Sequence, residues 1–150
     1  MPETRKEWLN FSLSFALIAL AVTSLKAAES TDHKSLQGDW IPVKAELSGK
    51  PIPEAVLKKI HLKLGSGTYD ATADGEPDKG TFEIDPNASP KGMVIKGTDG
   101  PNKGKVIPAI YEVQGKTLRI CYDLSGTQRP KDFKSLPGTK LYLVRYERQK

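Results

Sequence analysis

Ile107-Pro108-Ala109-Ile110-Tyr111-Glu112-Val113-Gln114-Gly115-Lys116-Thr117-Leu118-Arg119-Ile120-Cys121-Tyr122 carries the pattern that decides the fold. Leu118, Ile120 and Tyr122 alternate with Thr117, Arg119 and Cys121, while Ile107, Ala109, Tyr111 and Val113 form a second set at the same spacing. Successive side chains of a strand point to opposite faces, so each set marks one apolar face. Gln114-Gly115 separates the two runs, and glycine tolerates the backbone a tight hairpin turn needs. The stretch reads as an antiparallel hairpin whose inner face holds Tyr111, Leu118, Ile120 and Tyr122.

Outward from this hairpin the same rhythm repeats. Short apolar runs at 40–47, 60–64, 68–72, 80–84, 93–96, 106–113, 117–122 and 140–146 predict eight strands. Gly65-Ser66-Gly67, Asp74-Gly75 and Asp85-Pro86-Asn87 are among the turn residues between them. Only residues 51–59 read as a helix, with Pro53 suited to its first turn and Glu54 to its positive end, a candidate lid. With no long helix to make parallel crossovers, the prediction is an all-β, antiparallel, up-and-down eight-stranded barrel with one short helix. The first strand carries one irregularity. Ile41, Val43, Ala45 and Leu47 share a phase that excludes Trp40, and a bulge near Pro42, which cannot donate to a ladder, would turn Trp40 inward.

The first residues have a different logic. Arg5 and Lys6 precede an uncharged apolar run at 11–22, and Leu25-Lys26-Ala27 offers a small residue for cleavage. The run falls short of the roughly 20 residues that span a bilayer, so 1–27 reads as a signal peptide and 28–150 as one mature domain. No cysteine follows the run to become a lipidated N-terminus. The expected location is outside the cytoplasm, in the periplasm or beyond, with no stable membrane span after cleavage.

Composition narrows the classes of function. The chain's net charge of +5 becomes +4 once residues 1–27 take away three basic and two acidic side chains. That charge is modest and its lysines are scattered, with no basic stretch interleaved with aromatics, which argues against nucleic acid as partner. A lone Cys121 forms no intrachain disulfide. Of two histidines, His33 falls in a lead-in expected to be disordered and His61 in a strand, with no nucleophile spacing around either. Asp70, Asp74, Glu76 and Asp78 crowd one segment, but not at the spacing of a calcium loop. Neither an enzyme, a metal centre nor a bound cofactor is expected.

Several motifs add a resemblance. Leu36-Gln37-Gly38-Asp39-Trp40, Gly80-Thr81-Phe82-Glu83-Ile84-Asp85-Pro86, Thr98-Asp99-Gly100-Pro101-Asn102-Lys103-Gly104-Lys105, the run from Ile110 to Tyr122 and Arg129-Pro130-Lys131-Asp132-Phe133-Lys134-Ser135 together cover nearly all of the mature chain. They resemble the planctomycetal conserved hypothetical protein family with a lipocalin-like fold. That resemblance implies a calycin-type barrel in exported bacterial proteins, without an established molecular activity. Lys116, where an acidic residue is common, and Asp123-Leu124-Ser125, in place of a Pro-containing turn, depart from its pattern. In lipocalin-like barrels a basic residue of the last strand covers the Trp of the Gly-x-Trp motif, which implies closure by Trp40 and Arg145.

An eight-stranded barrel is just wide enough to be filled by side chains or to hold one small ligand. For a ligand site the candidates are Tyr69, Phe82, Tyr111, Leu118, Ile120 and Tyr122 as an apolar lining with phenolic handles. Arg129, with Lys103, Lys105 and Lys131 in loops at a mouth, would receive an anionic head group. The alternative for the first six is plain core packing, and for the loop residues hydrogen bonding within their own turns. Two functions stay open: an exported barrel holding a small hydrophobic molecule, or a filled barrel acting as an interaction or structural module of the cell envelope. No sequence feature names a protein partner.

Overall fold

The computed structural model describes residues 31–150; the signal peptide expected at 1–27 and the domain's expected start at 28 lie outside the described residues. A helix, α1, covers residues 31–36. It is followed by β1 (Gly38–Leu47), β2 (Lys50–Pro51), α2 (Glu54–Leu57), β3 (Ile60–Leu64), β4 (Thr68–Ala73), β5 (Glu76–Asp85), β6 (Gly92–Asp99), β7 (Val106–Gln114), β8 (Thr117–Asp123) and β9 (Leu141–Arg148). The hairpin at Gln114-Gly115 forms as the alternation predicts, with Glu112 opposite Arg119 and Gly115 at φ +57°.

Every sequential pair from β3 to β9 is antiparallel, and β1 closes the sheet. Gly38 to Trp40 pair with β3, while β1 from Trp40 onward pairs with β9. The result is a closed, eight-stranded up-and-down barrel with the two-residue β2 added at the end of β1. Closure gives every barrel strand a neighbour on both sides, which limits the open N–H and C=O edges that would otherwise template aggregation.

The irregular phase of β1 resolves as a bulge. Register against β9 shifts between Pro42 and Lys44, which leaves Val43 outside the ladder and 39% exposed. Trp40 and Ala45, on either side of it, are buried at 0% and 2%. The extra residue reverses the inward face, so Trp40 and Ala45 both reach the core although their spacing is odd.

Chain direction gives the barrel two ends. The closed end holds Gly38, Trp40, Leu64 and Arg148, and the open end holds Ile60, Ala73, Glu76, Asp99, Val106, Asp123 and Leu141. The lead-in expected to be disordered is helical and seals the closed end. Leu36 of α1 is wholly buried, and the Trp40 indole Nε1 donates to its carbonyl at 2.8 Å. Asp32 accepts from Lys91 Nζ at 2.8 Å and from the Tyr111 hydroxyl at 2.6 Å, and the His33 ring lies 5.6 Å from that of Phe82. An amphipathic turn with this many partners gains enough to offset its ordering entropy.

The cation over Trp40 is Arg148, not the Arg145 expected from the sequence. The Arg148 guanidinium sits 4.2 Å from the indole centroid, donates to the Ser35 carbonyl at 2.7 Å and also reaches the Gln37 carbonyl. The reason is strand phase: Val144 and Tyr146 are buried, so Arg148 shares their inward side and lies opposite Trp40. Arg145 faces outward, 3.9 Å from Glu147. At the other end α2 is shorter than the predicted 51–59, because residues 50–51 form β2. Its Leu57 is 3% exposed, which makes α2 a packed part of the core rather than a loose lid.

Candidate ligand cavity

The same alternation that fills the closed end around Trp40 leaves the barrel hollow from its open end inward as far as Leu64 and Phe82. A cavity of about 300 Å³ lies among β3 to β9 and reaches the surface beside exposed Glu76 and Leu124. Leu62, Phe82, Ile95 and Ile107 give it an apolar wall, and Tyr69, Tyr122, Tyr142 and Tyr146 bring four phenols to it. The Tyr122 and Tyr146 hydroxyls are 3.0 Å apart, and the rings of Tyr122 and Tyr142 stack with centroids separated by 5.7 Å. Burial pushes the pKa of all four phenols above the ordinary 10, with Asp78 adding to the effect at Tyr69. They are therefore neutral donors and acceptors at physiological pH.

The mouth is shaped by the segment between β6 and β7. Gly97 and Gly80 face each other across β5 and β6, beside a register shift at Lys79. A side chain at Gly97 would run into the Asn102 carbonyl, and one at Gly80 into the Lys96 carbonyl and the Tyr69 ring. Their absence lets the loop fold back on its own strand, where Gly104 N–H donates to the Gly97 carbonyl and Gly97 N–H to that of Lys105. Pro101 and Asn102 thereby enter the cavity wall. Asn102 Nδ2 donates to Asp78 Oδ2 at 2.5 Å, and the Tyr69 hydroxyl donates to Asp78 Oδ1 at 3.2 Å. Asp99 accepts from the Gly100 N–H of its own loop.

Of the residues picked out in the sequence, Tyr69, Phe82, Ile120 and Tyr122 line this cavity together. Tyr111 and Leu118 do not: they are 1% and 0% exposed, each paired across strands with a lining residue, Ile120 and Tyr146, and the Tyr111 hydroxyl is engaged by Asp32. Arg129 is also elsewhere. Its guanidinium holds the Pro90 carbonyl and packs beside Gly92, and it borders a separate groove of about 560 Å³ between the stretches 123–132 and 134–141.

The rest of that segment explains why it is not a mouth loop. Ile110 and Cys121 form a cross-strand pair whose side chains point away from the barrel interior, yet both are wholly buried. The segment lies on that outer wall, with Phe133 4.0 Å from the Arg119 guanidinium, Cys121 Sγ 3.6 Å from the Lys134 carbonyl, and the Ser135 hydroxyl donating to the Leu141 carbonyl at 2.8 Å. Burial raises the pKa of the Cys121 thiol, which suits a packing role over a nucleophilic one.

Tyr142 and Tyr146 were not singled out in the sequence, although Tyr142, Val144 and Tyr146 alternate as clearly as the residues of β8. Among the described residues no group of three or more His, Cys, Asp and Glu side chains forms a metal site, and no helix is long and apolar enough to cross a membrane. No family model, no curated protein and no solved structure matches this chain.

Proposed function

We propose that this chain is an exported, lipocalin-like barrel that holds one small, largely apolar molecule in the open half of its interior. The observation that carries this reading is the cavity of about 300 Å³, walled by apolar and tyrosine side chains. Its volume lies at the lower end of the roughly 300–1,000 Å³ range of ligand pockets. It is about twice the ~150 Å³ of an engineered apolar cavity that takes up benzene. The ligand is correspondingly small.

Export is supported by Arg5, Lys6 and the uncharged run at 11–22. Kinship with lipocalin-like barrels is supported by Gly38-Asp39-Trp40 beginning β1 and by the cation over Trp40 at the closed end. The resemblance to the planctomycetal family agrees with both. The competing reading, a filled barrel serving as an envelope module, draws on Leu36, Trp40, Tyr111 and Leu118, all wholly or almost wholly buried and none lining the cavity. It accounts for the closed half only. Binding is the function assigned.

A neutral fluorescent probe such as N-phenyl-1-naphthylamine should bind at one equivalent per chain. Ile95→Trp, which puts an indole into the cavity, should abolish that binding while far-UV circular dichroism stays unchanged. Undiminished binding by the filled variant contradicts the reading.

A further inference from the structure

We infer that the ligand of this cavity is an apolar amine, carried as its ammonium, with the charged nitrogen at Asp78 and the apolar body among the tyrosines. The inference rests on the cavity being a ligand site. Among the described residues the only charged side chains in its wall are Glu76 and Asp78, both carboxylates, and none of its lining residues is Lys, Arg or His. Two of the lysines near the mouth are turned to other acids, Lys59 to Asp74 at 3.0 Å and Lys79 to Asp70 at 3.1 Å, while Lys103 and Lys105 of the β6–β7 loop are not part of the wall.

Asp78 is half-buried and held in place. The Tyr69 hydroxyl and the Asn102 amide each donate to one of its oxygens, and both donors are neutral. Among the described residues no Lys or Arg makes an ion pair with it, so its charge is fixed at the cavity wall without a cation. A carboxylate offers about four acceptor positions, of which the two donors take about half. An ammonium brings three donors and a full positive charge to the remainder, and charge-assisted hydrogen bonds of this kind are the strong ones. Tyr122 and Tyr142 add aromatic faces, which attract cations. A carboxylate or phosphate head group would instead meet two like charges and no basic side chain among the described residues of the cavity wall. The site thus opposes the chain's overall charge of +5, which at long range favours anions.

Displacement of N-phenyl-1-naphthylamine at neutral pH by n-octylammonium, octanol and octanoate separates these effects, because the three probes share one tail. Octylammonium should bind roughly tenfold or more tighter than octanoate, with octanol between, as a charge-assisted hydrogen bond of about 1.5–3 kcal/mol implies. Asp78→Asn should weaken octylammonium about tenfold and leave octanol within about twofold. Octanol binding with no head-group preference, or a preference for octanoate, overturns the amine assignment and leaves the cavity reading standing. Failure of all three probes overturns both. Should Asp78→Asn not fold, the head-group ranking on the unaltered chain decides alone.

Discussion

Arg148 joins three parts of the chain with one side chain: it covers the Trp40 face, holds the Ser35 and Gln37 carbonyls of the α1 connection, and ends β9. A cation–π contact with partial desolvation and hydrogen bonds from a charged donor are each worth on the order of 1–2 kcal/mol. Arg148→Met should therefore lower unfolding free energy by about 1–3 kcal/mol in chemical denaturation, whereas Arg145→Met, at an exposed ion pair, should change it by under about 0.5 kcal/mol. Equal effects would mean that the two arginines have equivalent roles. Asp123 is the other residue with a measurable signature. It is 5% exposed, and burial alone would raise its pKa, yet hydrogen bonds from Gln128, Thr127 and both the amide and hydroxyl of Ser125 bring it below the ordinary 3.8. A group with a depressed folded pKa contributes stability above its unfolded value and loses it as pH falls through the folded one. Asp123→Asn should flatten the stability–pH curve between about pH 5 and pH 2. An acid limb as steep as that of the unaltered chain would contradict this role.

At the scale of elements, period-two alternation made the strands legible, since a one-residue slip would expose every apolar side chain of a face. The bulge was legible for the same reason: the phases of Trp40 and Ala45 conflict, and Pro42 marks the place. The cation over Trp40 was not: Arg145 and Arg148 both lie near the end of the last strand, and it takes the pairing with β1, with Val144 and Tyr146 inward, to put Arg148 there in place of the expected Arg145. α1 was not, because six residues carry little local signal and its helix depends on partners far along the chain, Lys91 and Tyr111 among them. Nor was the outer position of the Arg129–Ser135 segment, whose turn residues are equally compatible with a mouth. The β6–β7 loop depends on a missing side chain. Gly97→Ala should displace Pro101 and Asn102 from the cavity wall and cost roughly 2–3 kcal/mol, as strain at close backbone contacts does. A crystal structure of the variant with the loop in place and unchanged thermal stability would contradict that assignment.

For the whole molecule, the division between a filled base and a hollow top is the central feature. Gly38-Asp39-Trp40, α1 and Arg148 close one end without a disulfide, and Cys121 is the chain's lone cysteine. The candidate site was legible in part, since Tyr69, Phe82, Ile120 and Tyr122 came from alternation alone, but alternation gives only the inward face: Tyr111 pairs with Ile120 and Leu118 with Tyr146, yet only Ile120 and Tyr146 line the cavity. Side chains lining an unfilled apolar cavity lack packing partners on one side, so about 300 Å³ of it is a cost for a domain of this size that a ligand would offset. Native mass spectrometry of the protein purified from its own host tests the binding claim most directly. The expected spectrum shows one small organic adduct per chain that disappears on organic extraction; an adduct-free protein that also fails to take up N-phenyl-1-naphthylamine would contradict it.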